Sequence, residues 1–564
     1  MGEQLDDEAR EYHRREPPGK IEIRTTKSTN TQRDLSLAYS PGVAAQCRDI
    51  KADQTLSYDY TARGNLVSVV SDGSAVLGLG DIGAAASKPV MEGKGVLFKR
   101  FADIDVFDVE LDIDDTDEFI GAVAAMEPTF GGINLEDISA PACFEIEERL
   151  SEEMSIPVFH DDQHGTAIIT GAGLINAADI VGKELESLNV TISGAGASAI
   201  ATAKFYVSLG IPHENITMCD SSGIITQERA DAGDINEYKT EFARDIEGGG
   251  LDDAMEGADV FVGLSVAGIV SQEMVRQMAS NPIIFAMANP DPEISYPDAK
   301  AARDDTVIMG TGRSDYPNQV NNVLGFPFLF RGALDVRATD INEEMKLAAA
   351  HALADLARQD VPDEVVKAYG DQQLQFGPEY ILPKPVDPRV MLDLSAAVAE
   401  AGMESGVART EVDLTEYRDK LEARMGGSRE LMRVIHNKAK ADPRRVALAE
   451  GTDKKMIRAA YQMQEEGIAD PVLLGDQDAI HATAADLGLD FDPEVVDPRD
   501  GGHDQYAERL YKLRQRKGVT HSEARELVQR DTNYLASVMV EMGDADAMLT
   551  GLTHHYPSAL RPPL

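Results

Sequence analysis

The stretch from Asn189 to Asp220 constrains the fold more than any other part of this chain. An apolar run, Asn189 to Ser193, leads into the G-x-G-x-x-A turn Gly194-Ala195-Gly196-Ala197-Ser198-Ala199. A helical pattern follows from Ala197 to Leu209, closed by Gly210, and a second apolar run, Ile216 to Cys219, ends at Asp220. Strand, glycine turn, helix and strand in that order predict a βαβ unit with parallel strands, whose helix N-terminus faces a pyrophosphate. Asp220 lies 24 residues beyond Gly196, near the spacing at which an acid meets the ribose. Gly194, Ala195, Gly196, Ala197, Ser198 and Asp220 are therefore the candidate dinucleotide contacts.

A literal G-x-G-x-x-G also occurs, at Gly78, Gly80 and Gly83. Pro89, Gly93 and Gly95 follow it closely, which predicts a short, broken helix and a tight loop beside the substrate. The choice between NADP and NAD stays open at Asp220. A carboxylate there repels a 2′-phosphate, Ser221 and Ser222 offer it hydroxyls, and no Arg or Lys stands immediately beside them.

Alternating strand-like and helical runs continue on both sides, so the chain is read as α/β throughout. Residues 1–20 look like a polar arm ending at Pro17-Pro18-Gly19, and 21–160 an N-terminal α/β substrate domain. A Rossmann-type NAD(P)-binding domain is expected over 161–410 and a linker over 411–430, around Gly426-Gly427. An incomplete α/β unit is expected over 431–564, with strands at Arg445 to Glu450, Pro471 to Gly475 and Ala547 to Gly551.

The charge balance excludes some partners. With 53 basic against 98 acidic residues the net charge is -45, so nucleic acid would be repelled. No apolar run approaches the roughly 18 residues of a membrane span, and the acidic N-terminus is no signal peptide. Cys47, Cys143 and Cys219 are too scattered for a disulfide framework, and a cytoplasmic protein with reduced thiols is expected. Acids spread over the whole chain suggest a halophilic surface, whose self-repulsion is screened where the Debye length falls to about 3 Å at molar salt.

In so acidic a chain, paired carboxylates prove little alone. Two pairs stand out by position: Glu136-Asp137, and Asp161-Asp162 within His160-Asp161-Asp162-Gln163-His164, both just before the dinucleotide turn. Carboxylates of this kind suit a hard divalent cation that polarises the oxygen of a hydroxy acid beside a nicotinamide. His160 and His164 are spaced i, i+4, but no third soft ligand is near, so they read as structural. Asn289 ends the strand-like run Ile283 to Ala288, where parallel sheets bind ligands.

Six ordered motifs resemble the malic enzyme family. They are Tyr39-Ser40-Pro41-Gly42-Val43-Ala44, Ser71-Asp72-Gly73 leading into Val76-Leu77-Gly78-Leu79-Gly80, Met91-Glu92-Gly93-Lys94-Gly95, Asn134-Leu135-Glu136-Asp137-Ile138, His160 to Ala167, and Gly312-Arg313-Ser314-Asp315-Tyr316-Pro317-Asn318-Gln319-Val320-Asn321-Asn322. The resemblance runs from about 20 to 410 and is to the prokaryotic hybrid type. Arg445 to Gly451 resembles the opening of phosphotransacetylase; the parts that would complete a coenzyme A site are not expected, so acyl transfer is set aside and acetyl-CoA is kept as an effector.

The resemblance implies oxidative decarboxylation of L-malate to pyruvate and carbon dioxide, with NADP (alternatively NAD) and Mg²⁺ or Mn²⁺, in a homo-oligomer. It implies that Glu136, Asp137 and Asp162 bind the metal, that Lys94 takes the C2 hydroxyl proton with a pKa lowered toward neutrality, and that Tyr39 protonates C3 of the enolate. Asp161 would orient or relay protons to Lys94, and Asn289 and Asn321 would contact malate and the nicotinamide ribose. Ala75 stands where larger relatives carry a substrate-gripping arginine, so another group must hold malate's second carboxylate. The acidic surface gives a first prediction: dialysis from molar salt into dilute buffer unfolds or inactivates the protein, followed by circular dichroism, and full activity in dilute buffer overturns it.

Overall fold

Strands separated mostly by helices leave the chain little choice but largely parallel sheets, and three appear among the described residues, one with a single antiparallel edge strand. The computed structural model describes residues 2–76, 78–369, 374–425, 438–465, 467–487, 489, 491–555 and 559–564. Leu77 of the glycine loop, the expected linker at Gly426-Gly427, and Tyr556 lie outside them.

The first sheet comprises β1 (Leu66–Ser71), β2 (Asp105–Glu110), β3 (Gly132–Leu135) and β4 (Val158–His160), in the order β2-β1-β3-β4, all parallel. Leu135 of β3 pairs with His160 of β4. The next residues, Glu136 and Asp161, therefore leave the same end of the sheet side by side. Strand register, not proximity in sequence, joins the two acidic pairs.

The second sheet holds β5 (Val190–Ser193), β6 (Ile216–Asp220), the antiparallel β7 (Gly223–Ile224), β8 (Val260–Gly263), β9 (Ile283–Ala286) and β10 (Ile308–Thr311), in the order β10-β9-β8-β5-β6-β7. The chain builds from β5 toward β7 and then crosses to β8 on the other side of β5. The crevice between β5 and β8 is thus the switch point at which such sheets bind dinucleotides. Gly194 follows β5 at φ +114°, and a Cβ there would collide with the Leu264 carbonyl beyond β8. A side chain would both strain the turn and close the crevice.

Three local expectations meet differences. After Gly83 the chain forms one unbroken helix, Ala84–Ala102, instead of a short broken one. Pro89 falls early in it, and Gly95 faces Val106 of β2, where a Cβ would lie 3.3 Å from the valine Cγ1. Close packing on the sheet therefore holds a helix that propensity alone disfavours. Gly2–Arg14, within the expected arm, is helical, and so is Leu414–Arg424, within the expected linker, with Tyr417 and Leu421 buried. Helix Phe326–Asp335 lays Phe326 and Phe330 edge-on against Phe98, with ring centroids 4.7 and 5.4 Å apart. Cys143 and Cys219 are free and buried, and burial pushes both thiols up to about 12. No helix among the described residues is long and apolar enough to cross a membrane.

Residues 425–564 form a separate compact unit. Its sheet, β11 (Arg444–Leu448), β12 (Ala469–Leu474), β13 (Glu494–Val496) and β14 (Ala547–Leu549), runs β13-β12-β11-β14, all parallel. Glu450, just after β11, ties down the loop after β14. It accepts from the backbone N–H groups of Gly551, Leu552, Thr553 and His554 at 2.7–3.1 Å, and from Thr553 Oγ1 at 2.7 Å. Burial would raise its pKa, but bonds to His554, Thr553 and Leu552 hold it down at about 2. A depressed folded-state pKa stabilises above the usual carboxylate range and is lost as pH falls through the folded value. We expect the melting temperature of this unit to drop between about pH 4.5 and 2, and Glu450→Gln to lower its stability already at neutral pH by roughly 2 kcal/mol, both read by calorimetry on the full chain.

Candidate active site

Lys94 is the centre of the site. The helix Ala84–Ala102 carries it to the ends of β3 and β4, where it is buried. Its Nζ donates to Glu136 Oε1 at 2.8 Å, pairs with Asp161, and lies 4.0 Å from the centroid of the Phe326 ring. Burial pushes the ammonium down, but Asp161 and Glu136 against it push further up, and Lys94 ends above its ordinary value. That is opposite to the lowered pKa a base at neutral pH requires. The reason is visible: two carboxylates share one Nζ. Burial raises Glu136 well above the usual carboxylate range, opposed by Lys94 and reinforced by Asp162, Asp161 and Asp137.

Glu136, Asp137 and Asp162 each offer an oxygen within 4.8 Å of the others, the first two buried and the third partly so. Asp137 adopts φ +55°, uncommon for a non-glycine residue, and its N–H donates to Asp162 Oδ2 at 2.8 Å. Asn134 Oδ1 and Asp161 Oδ1 are buried with no hydrogen-bond partner. Hard oxygen donors, mutual repulsion and unsatisfied acceptors together fit a divalent cation. The imidazoles stand outside this set. His164 contacts Glu147 at 3.0 Å, and the buried His160 ring lies 3.8 Å from Asp162.

Two residues were not singled out from the sequence. Asn134 donates to Glu136 Oε2 at 2.8 Å. Asn322, rather than its neighbour Asn321, reaches Asp161, at 3.2 Å, and accepts from Thr166 Oγ1 at 3.2 Å. Asn321 instead caps the next turn by accepting from Val323 N–H at 3.0 Å. Both missed residues fall inside quoted motifs, but their side-chain direction has no sequence signal. Gly165 leaves room for this contact, because a Cβ there would lie 2.7 Å from Asn322 Nδ2 and closer still to Asp161 Oδ1. Asn289 lies beside Gly312, whose Cβ would come within 3.3 Å of its Oδ1.

Tyr39 is not brought to Lys94. It is 78% exposed and caps the helix Gln32–Ala38, and no hydrogen bond of its phenol appears among the described residues. The mostly polar stretch around it also exposes apolar side chains, with Ile23 at 84% and Leu37 at 62%.

The dinucleotide turn adjoins the acidic set. Gly196 caps the helix Ala197–Ser208 without a side-chain bond, leaving first-turn N–H groups for an anion, and Ser198 Oγ donates to the Asp162 carbonyl at 2.5 Å. At the end of β6, Asp220 is paired with Arg229 at 2.7 Å and Lys239 at 3.4 Å, cations that lie 9 and 19 residues away in sequence.

Three family models match. Residues 18–151 match "Malic enzyme, N-terminal domain", 163–367 match "Malic enzyme, NAD binding domain", and 430–564 match "Phosphate acetyl/butaryl transferase". The NADP-dependent malic enzyme of Rhizobium meliloti is 50% identical over 558 residues, 98% of this chain and 73% of that protein. The NAD-dependent malic enzyme of the same organism is 48% identical over 564 residues, 99% and 73%. The crystal structure of malic enzyme from Pyrococcus horikoshii superposes with TM-score 0.70 and 40% identity, covering 77% of this chain and 99% of that one. The geometry predicts that Asp137→Asn and Asp162→Asn each weaken Mn²⁺ binding at least roughly tenfold, measured by electron paramagnetic resonance of free Mn²⁺; unchanged binding in both removes the cation from this set.

Proposed function

The chain belongs to the malic enzyme family, and we propose that it oxidatively decarboxylates L-malate to pyruvate and carbon dioxide with NADP and a divalent cation. The observation that carries this is Lys94, buried between Glu136 and Asp161 at the adjoining ends of β3 and β4.

Bound at Glu136, Asp137 and Asp162, Mg²⁺ or Mn²⁺ would polarise malate's C2 oxygen and stabilise negative charge on it, and a bound nicotinamide would supply the hydride acceptor that oxidation at C2 needs before carbon dioxide leaves. Lys94 takes the C2 hydroxyl proton. It must first be neutral, and Glu136 provides the means. The carboxylate that holds the proton on Nζ is also a cation ligand, so loading the cation removes one of the two charges that raise Lys94. Asp161 holds Nζ in place and is itself aimed by Asn322. The Gly194-Ala195-Gly196-Ala197-Ser198 turn seats the pyrophosphate, Asp220 marks the ribose, and Asn289 and Asn321 contact malate and the nicotinamide ribose.

Tyr39 protonates C3 of the enolate. Its exposure, together with that of Ile23, Leu35, Leu37 and Val43, supports a homo-oligomer in which a second copy covers these side chains and receives Tyr39 at its own Lys94. The C-terminal unit's match to an acyltransferase family supports acetyl-CoA as an effector. Mixing tests the shared site: Lys94→Ala and Tyr39→Phe should each lose at least about a hundredfold in pyruvate formation, and co-refolding them should restore up to roughly a quarter of wild-type activity. No recovery places Tyr39 in its own chain's site, and cofactor reduction without pyruvate ends the decarboxylase reading.

A further inference from the structure

We infer that Glu293 is a positioning residue for the nicotinamide half of the dinucleotide, holding the segments after β8 and β9 at the crevice by their backbone N–H groups. The inference rests on the reading that the turn after β5 seats a nicotinamide dinucleotide.

Sheet order divides that crevice. Asp220, expected beside the ribose, ends β6 on one side of β5, so the adenosine half belongs there and the nicotinamide half extends over β8 and β9. On that second side lies Glu293, fully buried. Its Oε1 accepts from the Ser265 N–H at 3.0 Å, just beyond β8, and its Oε2 from the Ala288 N–H at 3.0 Å, just beyond β9. Ser265 Oγ lies 3.4 Å from Oε1 and 3.0 Å from the hydroxyl of Ser193, the last residue of β5. One carboxylate thus ties together the strand ends that frame the crevice. The backbone beside it adds to the hold: Val270 N–H donates to the Glu293 carbonyl at 3.0 Å, and Gly268 N–H to that of Pro292 at 3.1 Å. Between these fastenings Val266 is 62% exposed, and Asn289 follows directly on Ala288.

The fold makes room for this side chain at a cost. Gly263 of β8 must lack a Cβ, which would collide with the Glu293 carboxyl group. No cation pairs with Glu293 among the described residues, and burial raises its pKa against the lowering effect of the Ser265 and Ala288 bonds. Packing alone would be served better by an apolar side chain. What a carboxylate adds is acceptance at both oxygens, one for each strand-end N–H. Glutamine has the same shape but a single acceptor, so its amide nitrogen would face the Ser265 or the Ala288 N–H, donor against donor. The segments after β8 and β9 would then part, while Asp220 and the Gly194 to Ser198 turn keep their places.

The test uses the full chain in wild type, Glu293→Gln, Glu293→Asp and Ser265→Ala, each shown to be folded by circular dichroism. NADPH binding is followed by fluorescence and adenosine 2′,5′-bisphosphate binding by calorimetry. We expect Glu293→Gln to weaken NADPH at least roughly tenfold and the bisphosphate by less than about threefold. Damage to the domain as a whole would weaken both alike. Glu293→Asp, which keeps two acceptors on a shorter stem, should weaken NADPH less than Glu293→Gln does, and again more than the bisphosphate. Ser265→Ala, which leaves the backbone N–H in place, should change NADPH by less than about threefold. If Glu293→Gln does not fold, the contrast between the two ligands in Glu293→Asp decides. Equal weakening of both ligands, unchanged NADPH binding, or an Asp variant worse than the Gln variant overturns the inference. Wild type that binds neither ligand overturns the dinucleotide reading itself, and this inference with it.

Discussion

One buried ammonium makes the rest of the site possible. Glu136, Asp137, Asp161 and Asp162 converge where two strands end, and unit charges of one sign about 4 Å apart repel by roughly 4 kcal/mol even in a well-screened protein environment. Lys94 Nζ, paired with one residue from each strand end, is the counter-charge that lets both approach. Its placement is itself built: Phe326 covers Nζ, and Phe98, one turn further along the Lys94 helix, anchors Phe326. The aromatic packing between Ala84–Ala102 and Phe326–Asp335 thus positions an electrostatic centre.

A lysine suits this place better than an arginine would. Its pKa yields to its surroundings, whereas a guanidinium stays charged throughout. With two carboxylates on Nζ it is held protonated, and weakening either contact moves it toward release. On the proposed function, sharing Glu136 between Lys94 and the acidic triad would therefore link the proton state of the base to the occupancy of the cation site. A base that titrated independently would have no such coupling.

The dinucleotide fold was legible in the sequence because its signals are long and periodic: apolar runs at β5, β6, β8 and β9, and a glycine turn before an unbroken helix. The two carboxylate pairs stand out by their position before the dinucleotide turn, and only the resemblance divides them into expected cation ligands and a partner for Lys94. The strands that present them, Gly132–Leu135 and Val158–His160, are four and three residues long, too short to show a period. Asn134, Asn322, Arg229 and Lys239 were not found, since each acts by side-chain direction or by a loop returning to a strand end. The helix after Gly83 was misread because Pro89, Gly93 and Gly95 oppose it locally, while the sheet on which it packs is a tertiary fact. Tyr39 belongs to neither group: its motif is plain, and its fold neighbours leave it exposed.

The acidic set and the glycine turn meet where two helices pack. Helix Asp161–Val181 opens with Asp161 and Asp162 and packs along Ala197–Ser208, which opens at the glycine turn. Gly171 permits this closeness, because a Cβ there would stand 2.6 Å from the Phe205 ring. Ser198 then bonds the Asp162 carbonyl, so the first turn of one helix holds the first turn of the other. A hydride moves over a short distance, and tolerance for misplacement is small. On the proposed function that distance would be governed by two packed helices and the Ser198 hydroxyl bond to the Asp162 carbonyl, elements that do not deform continuously. The loops carry recognition, and the helix crossing carries the geometry of reaction.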